Sequence, residues 1–120
     1  MGIRKYGLGG AVAAGVLFAA TGALADPMMN FYDNTVKITY PDGSTATLKV
    51  EPDGSYSMVL PDGSAASGYW SLDGGKFCAE RAKPEPQPKR CTPAAARAVG
   101  AKWTETMPEG VVRYELVAGR

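Results

Sequence analysis

The sequence predicts an all-β domain: an antiparallel meander of about seven strands, curved into a small barrel or a sandwich and held by one disulfide. Three observations carry this. Apolar and polar residues alternate with period two through most of residues 35–117. The tetrapeptide Pro-Asp-Gly-Ser occurs three times, at 41–44, 52–55 and 61–64, and Asp73-Gly74-Gly75 is a shortened relative. Two cysteines, Cys78 and Cys91, are the only ones in the chain. Period two with one polar face marks an antiparallel sheet that is wet on one side. Turns spaced by 11, 9 and 11 residues imply short strands folded back and forth.

Residues 1–25 read as a secretory signal peptide. Arg4 and Lys5 give a positive start, residues 8–20 are apolar or small, and Ala23-Leu24-Ala25 is an A-x-A cleavage box. The apolar run of 13 residues is short of the roughly 20 that span a bilayer, so no stable membrane span is expected after cleavage. Asp26 would then be the first mature residue, and 26–120 a single β domain, periplasmic or secreted. Removing Arg4 and Lys5 leaves 11 basic against 12 acidic side chains, a net charge of −1. The charges are dispersed, which gives nucleic-acid binding no electrostatic support.

Histidine is absent. That excludes Ser-His-Asp and Cys-His pairs and removes the residue best suited to proton transfer near neutral pH. Cys78 and Cys91 read as a structural disulfide in an exported domain of this size. Closing the loop between them would contribute about 3 kcal/mol on a chain-entropy argument.

The elements follow in order. Asp26–Asn34 reads as a loose mature N-terminus, with Phe31 and Tyr32 pinning its end to the core. Met28 and Met29 read as apolar tail residues rather than soft ligands for Cu(I). Strands are expected at about 35–40, 45–51, 55–60, 67–72 and 76–81. In each Pro-Asp-Gly-Ser turn, proline pre-sets φ at the second position of a type I turn, and glycine takes a left-handed conformation at the fourth, as a G1 bulge. Each such loop supplies one carboxylate, too few for calcium.

Ala82–Arg90 has proline at 84, 86 and 88. Alternate prolines are expected to forbid ladder hydrogen bonds and favour polyproline II. The disulfide would clamp the base of this stiff loop, either as a stapled crossover or as a recognition finger with Lys83, Glu85, Lys89 and Arg90 outward. Over 92–100, Thr92, Pro93 and Gly100 suit the cap, first position and end of one helical turn, with strand or coil as the alternative. Lys102–Thr106 and Val111–Val117 return to strand around a Pro108-Glu109-Gly110 turn. The expected core is Ile38, Tyr40, Leu48, Val50, Tyr56, Met58, Leu60, Trp70, Leu72, Phe77, Trp103, Tyr114 and Leu116.

No catalytic constellation is present. No serine sits in G-x-S-x-G and no nucleotide loop occurs. Asp42, Asp53, Asp62 and Asp73 have local work in turns. Glu51, Glu80, Glu105 and Glu115 read as solvent-facing, with Glu51 and Glu80 the only candidates for a small carboxylate-dependent hydrolase. No metal or cofactor is expected. Tyr69 falls opposite Trp70 in the alternation and therefore on the wet face. There it either packs across strands or offers a ring to a sugar or a protein partner.

Two resemblances attach to these residues. Gly68–Cys78 (GYWSLDGGKFC), with Cys91-Thr92-Pro93 and Gly100-Ala101-Lys102-Trp103, resembles a pattern found in small uncharacterised exported bacterial β-sheet proteins; it spans about 40 residues and implies no known activity. Ser64-Ala65-Ala66-Ser67-Gly68-Tyr69 is similar, with different spacing, to the inhibitory-loop motif of exported bacterial c-type lysozyme inhibitors, which are also small disulfide-bonded antiparallel barrels. The close Cys78–Cys91 spacing differs from theirs. The expectation is therefore a non-catalytic exported domain that binds a protein or cell-envelope component through its wet face or proline loop. An inhibitor of a cell-wall hydrolase is the first alternative and a small hydrolase the second.

Overall fold

A computed structural model describes residues 26–120, and the expected leader lies outside the described residues. The chain forms β1 (Thr35–Thr39), β2 (Thr45–Val50), β3 (Ser55–Val59), β4 (Ala65–Asp73), β5 (Lys76–Lys83), β6 (Gln87–Pro93), β7 (Lys102–Met107) and β8 (Gly110–Val117). All eight lie in one antiparallel sheet in the order β6-β5-β4-β3-β2-β1-β8-β7. The sheet curls into a half-barrel. No ladder joins β6 to β7, which leaves a seam between the two edges.

The repeated turns are built as their residues dictate. The glycine N–H donates to the carbonyl before proline: Gly43 to Tyr40 at 2.9 Å, Gly54 to Glu51 at 3.1 Å and Gly63 to Leu60 at 2.8 Å. The glycines sit at φ +88°, +92° and +86°, where a Cβ is disfavoured. In each turn the aspartate Oδ1 accepts from the following serine twice, from its N–H at 2.9 Å and from its hydroxyl at 2.6–2.7 Å. These bonds hold the carboxyls of Asp42, Asp53 and Asp62 below the usual carboxylate range.

The N-terminal segment is a plug, not a loose tail. A 3-10 turn at Met29–Phe31 buries Phe31, which with Met28 is under 10 % exposed (7 % and 4 %). Asp26 anchors it, with Oδ1 accepting from the Met28 N–H at 2.8 Å and Oδ2 from the Tyr32 hydroxyl at 2.6 Å. Burial and then the Asp26 carboxylate push the Tyr32 phenol up to about 12. The Arg120 side chain bolts the plug down, donating to the carbonyls of Phe31 (3.2 Å), Val50 (2.7 Å) and Asn34 (3.1 Å) and pairing with the Glu51 carboxylate.

Buried Val36, Ile38, Ala46, Val50, Tyr56, Val112 and Leu116 form the core with Met28 and Phe31. Trp70, Phe77, Trp103 and Tyr114 pack against it. Leu60 and Leu72, expected inside, fall outside this cluster, and Leu72 is 40 % exposed. Leu60 lies just past the end of β3, and Leu72 near the far end of β4.

Two further expectations are corrected. The proline-rich segment is not a polyproline loop: β5 continues to Lys83, β6 starts at Gln87, and only Pro84–Pro86 turn. Cys78 and Cys91 are directly opposed across this hairpin and bonded to each other, with Cα atoms 4.0 Å apart. Residues 92–100 hold no helical turn. Pro93 ends β6, and the Ala94 N–H extends the pairing to the Gly75 carbonyl at 3.0 Å. The segment then docks on β8, where the Gly100 N–H donates to the Leu116 carbonyl at 2.7 Å.

Candidate binding face

The inner face of the sheet is filled by the chain's own aromatic side chains. Trp70 stacks on Phe77 at 5.8 Å and Trp103 on Tyr114 at 5.5 Å, distances in the favourable range for ring pairs. Arg97, from the β6–β7 connection, lays its guanidinium 4.4 Å over the Trp103 ring. The cavity beneath the seam is about 90 Å³, lined by Phe31, Leu48, Val50, Phe77, Trp103 and Tyr114 among others. An apolar cavity of about 150 Å³ takes up benzene, so this space is small for a ligand chamber.

One polar group inside was unexpected. Glu105 shares its strand face with Trp103 and Met107 and accepts from the Tyr114 hydroxyl at 2.9 Å, so it faces inward and is not solvent-facing as expected. Burial, then this carboxylate, raises the Tyr114 pKa. Its orientation was legible, since Trp103 and Glu105 are two residues apart on one strand.

The outer face is ordered by register and mostly polar, with Val59, Val111 and Val117 exposed on it. Lys49 pairs with Ser57, Ser57 with Ser67, and Ser67 with Lys83. The four therefore form one row across β2, β3, β4 and β5, with the β4–β5 register shifting at its end between Ser67 and Gly68. A hollow of about 480 Å³ runs over this row; Lys49, Ser57, Ser67 and Lys83 line it together with apolar Val59, Ala65 and Pro84, and no acidic residue does. The next row holds Ser55, Tyr69 and Glu80, with the Tyr69 side chain beside Ser67 on β4 and 64 % exposed. Beneath them Gly68 permits a close approach. A Cβ there would lie 2.0 Å from the Glu80 carbonyl oxygen and 2.8 Å from the Tyr56 ring.

The residues singled out from sequence do not form one patch. Tyr69 and Lys83 share the outer face. Glu85 lies in the β5–β6 turn. Lys89 is on β6, 4.0 Å from the exposed Asp73 carboxylate. Arg90 points the other way, toward the Met107 sulfur at 3.9 Å across the seam, instead of outward with its neighbours. Lys49, Ser57 and Ser67 were not singled out. The signal was available: each Pro-Asp-Gly-Ser turn fixes the register of its hairpin, which places 49 opposite 57 and 57 opposite 67.

The candidate hydrolytic carboxylates are apart in role. Glu51 pairs with Arg120, and its carbonyl accepts from the Trp70 indole at 2.9 Å. Glu80 is exposed on the outer face opposite Tyr69. The Ser64–Tyr69 segment is strand from Ala65 onward. Among the described residues no cluster of three or more Cys, Asp or Glu side chains could hold a metal ion, and no helix is long and apolar enough to cross a membrane. No family model, curated protein or solved structure matches this chain.

Proposed function

We propose that this chain is an exported, non-catalytic binding domain of the periplasm or the extracellular medium, and that its outer sheet face engages a cell-envelope component. The observation that carries the reading is the contrast between the faces. The inner one is occupied by the chain's own rings, whereas the outer one presents an exposed tyrosine beside a row of hydroxyls and ammonium groups. Two features support export. The A-x-A box stands immediately before Asp26, a residue already engaged in two hydrogen bonds of the fold. A cross-strand disulfide is compatible with an oxidising compartment.

The test is co-sedimentation of the purified protein with isolated cell envelopes. Wild type is expected in the pellet, and a Tyr69→Ala, Lys83→Ala variant of unchanged melting temperature in the supernatant. Wild type remaining in the supernatant would overturn the proposal, as would equal pelleting of both proteins.

A further inference from the structure

We infer that the outer row is a site for an acidic polysaccharide, a chain of sugars carrying carboxylates. The inference deepens the proposed function and rests on it. Three properties of the row select this occupant. First, Lys49 and Lys83 stand at its two ends, three interstrand steps or about 14 Å apart by backbone, and no acidic side chain lines the hollow between them. The complementary ligand is an extended anion bearing at least two negative groups, not a compact ion held at one point. Second, Ser57 and Ser67 lie between the lysines in direct register, with Thr47 alongside. A hydroxyl both donates and accepts, which matches the hydroxyls of sugar rings, and the apolar lining beside it (Val59, Ala65, Pro84) suits the rings' C–H faces. Third, Tyr69 projects from the same strand face as Ser67 and is 64 % exposed, so its ring is available to stack on the apolar face of a sugar. The Glu80 carboxylate, opposite Tyr69, lies one row away and marks the side of the hollow that the ligand's anionic groups avoid.

Exposed ammonium groups are individually weak and screened by salt, so the expected affinity is modest and salt-dependent. The test is a heteronuclear NMR titration of the whole protein with three probes: a polygalacturonate oligomer, neutral dextran and polyglutamate. Polygalacturonate is expected to shift the amides of β2–β5 around residues 49, 57, 67 and 83. Dextran is expected to bind far more weakly, and so is polyglutamate, which supplies carboxylates without sugar rings. Lys49→Ala, Lys83→Ala is expected to weaken polygalacturonate binding about tenfold. Ser57→Ala, Ser67→Ala should weaken it less and leave the melting temperature unchanged. Polyglutamate binding as tightly as polygalacturonate would overturn sugar recognition. Undiminished binding by the double lysine variant would overturn the row as the site. Envelope co-sedimentation without polygalacturonate binding would sink the acidic-glycan assignment alone, while loss of both would sink the proposed function with it.

Discussion

On β2, Ala46 and Val50 face inward at 2 % and 1 % exposure, while Thr45, Thr47 and Lys49 line the outside. On β4, Ala66, Gly68 and Trp70 face the core, while Ser67 and Tyr69 face out. Neighbouring residues on one strand thus live in different solvents. The inner set is shielded from water and forms the core. The outer set contributes little to holding the fold and is free to be chosen for what it meets. A change on one face should therefore leave the property governed by the other largely untouched.

The sharpest way to break that comparison is to carve into the inner face. Leu116 is fully buried, so Leu116→Ala is expected to cost about 3–5 kcal/mol in urea unfolding through lost burial and the cavity left behind. Ser57→Ala on the outside is expected to stay within about 0.5 kcal/mol. Comparable losses from the two would erase the distinction between faces. Opening the disulfide is the next largest effect. Cys78 is buried and Cys91 exposed, and reduction is expected to lower stability by about 3 kcal/mol, mainly by freeing the unfolded chain. Matched melts with and without reductant measure it.

The smallest effect sharpens the comparison at the turns. The native pKa values of Asp42, Asp53 and Asp62 lie below the unfolded value near 3.8. Their stabilisation is therefore complete above that value and is lost as pH falls through the lower native values. An acid titration of stability is expected to show this decline, and Asp42→Asn, Asp53→Asn, Asp62→Asn is expected to flatten it. An unchanged acid slope in the triple variant would show that the carboxylates titrate alike in both states.

The first four strands were readable because each local cue agreed with the others. Pro-Asp-Gly-Ser sets a three-residue turn, the turn sets register, and register sets which of Leu48 and Lys49 goes inside. The difficulties begin where one cue admits two outcomes. Alternate prolines argue against a ladder, yet Pro84 and Pro86 fall in the turn, and Pro88 lies on β6, an edge strand with one neighbour, where a missing N–H on the open side costs little. Thr92-Pro93 and the alanines that follow suit a helix, but a nine-residue run is marginal alone. Pairing of Ala94 with Gly75 and docking of Gly100 on Leu116 prevail. The plug was hidden for a different reason. Met28 and Phe31 belong to no periodic segment, and their burial depends on Asp26 and Arg120, partners at opposite ends of the described chain. In the candidate site, Tyr69 and Lys83 were singled out from exposure and charge, whereas Lys49, Ser57 and Ser67 required the register to be carried across three hairpins.

The seam between β6 and β7 has an architectural consequence. A closed cylinder ties diameter to strand number and stagger, so a strand cannot be added or removed without rebuilding the whole circumference. Here no ladder ties the two margins, which meet through side chains such as Arg90 and Met107, and a related chain can lengthen or trim either one without rebuilding a closed circumference. Pro88 and Pro93 on one margin and Lys102 and Glu105 on the other discourage unplanned strand addition from a neighbouring molecule. That leaves the margins open to evolutionary change without making them sticky.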